Sequence, residues 1–404
     1  MDANSPARVR EAADSQNELP TRIAQLVVIG LVALLAIRWK SYHWDFHMFV
    51  GSAQEFRQGI SPYRGTGLSF FQPPLMLYIY SLFTFIPLPA AILSWFAIKL
   101  VFLRAMMGLW DKYAVRLTFD WKHILFFLFA LNGALYSDFS SGNASVIEQA
   151  VLWVGLGAIM TGNVWFGALC IAVMAQLKLT PIFFAVALLV IPAKPRWDAF
   201  AACLGMFSAI FSLNFLLQPQ LTKNFLAAAN VLDERGANNP SLLALIRDSI
   251  GMLGRIGERL PKFTDELLFV AIVGVVVWLS WSVVQRVRRD RGPIAPELTA
   301  LLVTVVFALV APRFKIYQAI VLLPAALYIL KVRPREAAIP LLAAALFMPS
   351  AESSLPIRAA IGLLNSYITL VSAFIIWVIL LRIIIQPVEQ EVVTAQSPGV
   401  YPVR

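Results

Sequence analysis

Apolar runs separated by short polar joints recur through the chain, at 23–37, 73–87, 89–109, 123–137, 146–160, 164–177, 180–193, 198–217, 266–285, 295–311, 316–331, 337–349 and 361–385. Roughly 20 apolar residues of helix cross a bilayer's hydrocarbon core, and a lipid-exposed backbone must bond to itself, as a helix does. The pattern therefore predicts an all-α polytopic membrane protein. Composition agrees, with 59% hydrophobic residues, 14% charged residues and a mean hydropathy of +0.73 over 404 residues. No polar block is long enough for a separate soluble domain of ordinary size.

Basic residues orient the runs. Lys194-Pro195-Arg196, the run Arg286 to Arg291 and Lys331 to Arg335 mark the cytoplasmic side. The run 23–37 follows Arg8, Arg10 and Arg22 without a convincing small-residue cleavage site, so it reads as an uncleaved first crossing behind a cytoplasmic tail, 1–22. An outer first loop and an inner Lys194 require an odd number of crossings between them. The run 73–87 is the one to remove, being short, bounded by Pro73-Pro74 and by Pro87 and Pro89, and carrying Tyr78 and Tyr80. About 12 crossings remain, within a transmembrane domain 23–385, and 386–404 is a second cytoplasmic tail. The loops 38–88, 138–145, 218–264, 312–316 and 350–360 then converge on the outer face, with Lys178 at a nearby helix junction.

Those outer loops hold the chemistry. The first contains Trp44-Asp45-Phe46-His47, followed at helical spacing by Phe49, Val50 and Ala53, with His47, Gln54 and Gln58 on other faces. This predicts a short interfacial helix with an acid at its start. Asp45 is either a plain N-cap or, with His47, Tyr63, Arg64 and Gln72 close by, a general base toward a hydroxyl. Ser140-Ser141-Gly142-Asn143 has the composition of an ordinary turn. Glu148, one turn into the next helix, is costly at the mouth of a membrane segment unless paired or hydrated, which favours a polar, substrate-binding pocket with Asn143.

Net charge is +10, and its placement adds more than its size. Arg38, Lys40, Arg57, Arg64, Lys223, Arg235, Arg247, Arg255, Arg259, Lys262, Arg313, Lys315 and Arg358 all fall on the outer side, against the usual bias. Snorkelling to lipid headgroups is the simple account; an anionic substrate, such as a lipid-linked phosphate, is the functional one. Pro312-Arg313-Phe314-Lys315-Ile316-Tyr317 has the parts of a phosphate clamp, a planar fork, a point charge and a hydroxyl. Lys178 and Arg64 are further candidates. From Asn238-Asn239-Pro240-Ser241 onward, Leu242, Leu245, Ile246, Ile250 and Leu253 predict a second amphipathic helix. Nothing in the chain resembles a nucleotide-binding glycine loop, a nucleophile elbow, a metal-ligand set or a nucleic-acid module, so no metal, cofactor or nucleic acid is expected. Cys170 and Cys203 both lie in apolar runs, which gives no disulfide framework.

Asp45 with Ala53, Gly59, Pro62-Tyr63 and Pro73-Pro74, together with Gly142-Asn143, Lys178 with Pro181, and the 312–317 segment, resembles the GT-C membrane glycosyltransferases. Within them it is similar to glycosyltransferase family 87, whose mycobacterial members are polyprenyl-phosphate-mannose-dependent alpha-mannosyltransferases. Asn143 stands where that family more often has Gln. The resemblance implies a GT-C fold, a polyprenyl-phosphate-sugar donor delivered from the bilayer, a lipid or glycan acceptor, an extracytoplasmic site on a bacterial cell membrane, and Asp45 as the base. A secondary transporter or lipid-carrier flippase, with Glu148 and Lys178 coupling movement, is the rival reading.

Overall fold

A computed structural model describes residues 29–30, 43–63, 70–115, 121–231, 235–236, 239–255, 261, 263–333 and 366–386. Every regular element among them is helical. In chain order these are α1 (Trp44–Arg57), α2 (Leu75–Ser81) with a 3-10 turn Leu82–Phe85, α3 (Leu88–Tyr113), α4 (Trp121–Ser141), α5 (Ser145–Met160) and α6 (Val164–Met174). The 3-10 segment Thr180–Val186 runs into α7 (Ala187–Val190), followed by α8 (Trp197–Leu217), α9 (Pro219–Val231), α10 (Leu242–Arg255), α11 (Thr264–Arg291) and α12 (Pro296–Val310). A second 3-10 segment, Ile316–Leu322, leads into α13 (Leu323–Val332), and α14 (Ile368–Ile385) is last. The runs 23–37 and 337–349, the tails and Arg64 fall outside the described residues, save for Ile29 and Gly30.

Four of these helices are long and apolar enough to cross a bilayer alone: α3, α8, α11 and α14. The pair Ala130–Ser141 and Ser145–Met160 adds a fifth if counted as one broken span, bent by 111°. Several of the remaining described runs form shorter helices where the backbone is interrupted. Leu131, Asn132 and Gly133 are left-handed inside α4, and Pro181 and Pro324 stand at helix starts within the runs 180–190 and 316–332, where each removes a backbone donor. Residues 75–85 are two short pieces, α2 and the 3-10 turn, well below spanning length.

The main core lies among α3 to α8 and α11 to α14, with α5 packed on α3 and α6, α4 on the Ile316–Leu322 segment, and α12 on α14. A second apolar cluster forms around α1 and α2. Phe46 stacks on Trp95 with centroids 5.3 Å apart, Phe49 stacks on Tyr80 at 4.7 Å, and Tyr63 meets Phe225 at 5.7 Å. Each buried aromatic contributes about 1.5–3 kcal/mol relative to exposure. The apolar face of α1 thus packs on protein, from α2 and α3, where a lipid surface would suit the same pattern. Its periodicity is the same in both cases, which is why the pattern alone predicts the helix but not its partner.

Contacts at the two ends of α11 sort the loops. At its start, Arg247 of α10 reaches Asp265 at 2.7 Å and Glu266 at 3.2 Å. Ser241 Oγ donates to the Pro312 carbonyl at 2.9 Å, and Phe314 N to Asn239 Oδ1 at 2.8 Å. At its far end, Arg288 donates to the carbonyls of Val190 and Pro192, and Arg291 to that of Ile385 at 2.7 Å. Two of the basic clusters that mark one side in the sequence therefore adjoin in space, and the polar loops gather at the opposite end.

Candidate active site

The site is assembled where α1 meets the α4–α5 turn. Gly142 makes the approach feasible: it is left-handed at φ +73, and a Cβ built there would lie 2.8 Å from Phe46 Cβ. Only glycine fits that conformation and that gap. His43 N donates to the Ser140 carbonyl at 2.7 Å, so the start of α1 is bonded to the turn itself.

Asp45 is 3% exposed. It is not the N-cap of α1: His43 holds that position, and Asp45 lies in the first turn. Its Oδ2 accepts a 2.7 Å hydrogen bond from Asn143 Nδ2. Asn143 Oδ1 in turn accepts from Ala144 N at 2.8 Å, Ser145 Oγ at 3.2 Å and Lys178 Nζ at 3.0 Å. Three donors on one oxygen fix the amide's orientation and keep its NH2 toward Asp45. Asn143 is therefore more than a turn residue.

Lys178 completes the arrangement. Besides Asn143 it meets Glu148 Oε1 at 2.9 Å and Ser145 Oγ at 3.1 Å, and its Nζ lies 5.1 Å over the Tyr317 ring. An ammonium has three donors; here it donates to Asn143 and Ser145 and lies within ion-pair distance of Glu148. Its charge is paired with Glu148, the acid whose position in the sequence demanded a partner.

Burial drives Asp45 up to about 6, opposed by the Asn143 hydrogen bond and by the charges of Lys178 and Lys315. A carboxylate in that range is a competent base near neutral pH. Among the described residues only Oδ2 of Asp45 accepts a hydrogen bond, which leaves Oδ1 for a substrate hydroxyl.

The other expected site residues divide. Lys315 is near enough to Asp45 to act on it electrostatically, in a loop held by its N–H to Gln318 Oε1 at 2.7 Å. Arg313 lies over the Phe71 ring, 5.2 Å from its centroid, and Tyr317 is buried beneath Lys178. Gln72 is buried, with Oε1 unpartnered among the described residues. Tyr63 belongs to the scaffold: its hydroxyl donates to the Gln72 carbonyl at 2.7 Å. His47 is on the exposed side of α1, away from the buried side that carries Asp45.

Several of the cations that the sequence assigns to the outer loops have protein partners. Arg57 bonds Thr84 Oγ1 at 2.6 Å and covers the Phe85 ring, Arg247 bridges α10 to α11, and Arg235 is 3.8 Å from Asp248. Their number overstates the charge offered to a substrate. Conversely, sequence reasoning passed over Lys99 and Asp138, a fully buried ion pair at 2.8 Å directly behind the turn. The signal was a lone cation inside an apolar run and a lone acid at the edge of another, both expensive unless paired.

A helical membrane protein with a buried, cation-flanked carboxylate at one end of its bundle is the class these features define. The profile of glycosyltransferase family 87 matches residues 70–312, well over half of the chain, and the protein belongs to that family. It is a membrane glycosyltransferase, which sets aside the transporter reading. No curated protein matches the chain. The matched region contains Gln72, Asn143, Glu148 and Lys178; it begins after Asp45 and ends before Arg313, so for those residues the geometry carries the argument.

Proposed function

We propose that the protein transfers a sugar, mannose by family resemblance, from a polyprenyl-phosphate donor to a lipid or glycan acceptor on the extracytoplasmic face of a bacterial cell membrane. The proposal keeps twelve crossings in a GT-C fold, the boundaries 23–385 for the catalytic domain, and the loops around 38–88, 138–145, 218–264, 312–316 and 350–360 on the outer side. Asp45 is the general base. The observation that carries this reading is the pairing of a buried carboxylate, one oxygen open, with Asn143 and the nearby cations Lys178 and Lys315.

In the reaction, the acceptor oxygen attacks the anomeric carbon while its proton passes to Asp45 Oδ1. The bond from that carbon to the donor phosphate oxygen breaks, and the polyprenyl phosphate leaves with the electron pair. One displacement inverts the anomeric centre, so a beta-linked donor gives an alpha product. Negative charge grows on the phosphate as the bond breaks, and Arg313, Lys315 and the Tyr317 hydroxyl are the groups to stabilise it. Lys178, bonded to Asn143 and Ser145 and paired with Glu148, contributes its field and holds Asn143 in place. Gln72 and Glu148 line the substrate side. Arg64 remains a donor-phosphate candidate from its place in the sequence.

The test is transfer by purified protein in detergent, with synthetic polyprenyl-phosphate-linked mannose and other hexoses and no ion gradient. Transfer with inversion is expected. Absence of transfer from every lipid-linked donor, with activity on a nucleotide sugar, overturns the donor assignment.

A further inference from the structure

Two residues one turn apart on α3 grip the turn that carries Asn143. Trp95 Nε1 donates to the Gly142 carbonyl at 2.8 Å. Four residues later, on the same helix face, Lys99 Nζ reaches the Asp138 backbone oxygen and, at 2.8 Å, its carboxylate. Lys99 is 1% exposed and Asp138 0%.

Asp138 is the hub of the turn. Its Oδ1 accepts from Ser145 N at 2.9 Å, at the start of α5, where a carboxylate also complements the helix dipole. Its backbone oxygen accepts from Asn143 N at 3.1 Å and Ser141 Oγ at 3.3 Å. The hydrogen bonds from α3 to this turn, donated by Trp95 and Lys99, end on Gly142 and on Asp138.

A buried ion pair is a poor source of stability. Desolvating two charges costs about what their attraction returns, and a hydrophobic replacement is often as stable. What a paired charge supplies that an apolar contact does not is a fixed direction. Directionality is what the turn needs, because Asn143 must hold its NH2 within hydrogen-bond reach of Asp45.

We infer that Lys99 and Asp138 are positioning residues for catalysis, an ion pair that holds the Asp138–Ser145 turn so that Asn143 stays aligned on Asp45. The pair touches neither donor nor acceptor and acts through the turn. The inference rests on Asp45 being the base.

The test compares kcat and donor KM in Lys99→Met/Asp138→Asn, which removes both charges together and leaves an acceptor for Ser145 N, and in Asp138→Glu, which keeps the pair but lengthens the arm by one methylene. Single charge removal is avoided because it strands a buried ion. Thermal stability and the folded fraction are measured alongside. A fall in kcat of roughly 10- to 100-fold per folded molecule, with donor KM within about threefold, is expected, since small misplacement of a catalytic group costs on that order. Wild-type kcat per folded molecule in Asp138→Glu overturns the inference, as does a loss explained in full by a lower folded fraction. If the double variant does not fold, Asp138→Glu decides alone. Asp45→Asn assayed in parallel separates the two claims: if it is inactive while Asp138→Glu is fully active, only the positioning role falls; if it is active, the base assignment itself falls.

Discussion

At the scale of single residues, the proposed mechanism turns on Asp45 and its oxygen contacts. Asp45→Asn keeps the shape and accepts from Asn143 through its amide oxygen, but has no basicity, and a lost general base costs about 10²- to 10⁴-fold in rate. A structural acid would tolerate the change, so turnover by a folded variant is the discriminating measurement. The pH profile gives a second check. With Asp45 pushed up to about 6 by burial, the ionised, competent form predominates above that value. The rate should fall as pH drops through it, by about tenfold per unit once well below. Asn143 bonds the charged form and so lowers the proton affinity. In Asn143→Ala the acidic limb should therefore move to higher pH; an unmoved limb in kcat/KM would mean that another group sets it. Glu148 was legible in the sequence as a charge where charge is expensive, Lys178 as a cation at a helix junction, Asp45 as an acid opening a short helix, and Asn143 as part of a turn. Their mutual contact was not. Asp45 and Asn143 are 98 positions apart, and periodicity along one chain does not say which loops meet.

At the scale of elements, the helices were legible and their partners were not. Apolar spacing predicts that α1 and α10 exist and where they start, while the aromatic cluster that fastens α1 to α2 and α3 depends on which rings the bundle brings together. The α4–α5 turn shows what the sequence does carry. Gly142 was readable as a turn glycine, yet the reason it must be glycine lies across the interface, in the Cβ of Phe46. Two substitutions separate conformation from contact. Gly162→Ala carries left-handed strain at φ +90 but meets nothing within 4 Å, so it should cost about 1–2 kcal/mol in stability and leave turnover per folded molecule unchanged. Gly142→Ala adds the collision with α1, typically about 1–3 kcal/mol more, and should separate Asn143 from Asp45. Thermal melts and turnover of the two variants give the comparison. Equal turnover in both would mean that the α1 approach is not part of the site.

At the scale of the whole molecule, orientation decides which pool of donor the protein meets, and α11 is its ruler. At 1.5 Å per residue, 28 helical residues extend about 42 Å, enough to pass the hydrocarbon core and both interfaces. Asp265 and Glu266 are at its start and Arg286 to Arg291 at its end, which by the positive-inside rule sets the basic end in the cytoplasm. Arg288 and Arg291 fix the ends of the 187–192 segment and of α14 to that same end. In the proposed orientation the polar loops, joined at the other end through Arg247, Ser241 and Asn239, face outward with Asp45. Gln58 and Arg289 are exposed positions on the two sides, while Cys170 and Cys203 are buried and give little background. With a membrane-impermeant maleimide on intact cells, Gln58→Cys should label and Arg289→Cys should label only after permeabilisation. Labelling of both from outside would break the parity argument, and residues 73–87 would be the first segment to reassign. The reverse pattern would place Asp45 in the cytoplasm, where a lipid-linked donor presented on the outer leaflet could not reach it.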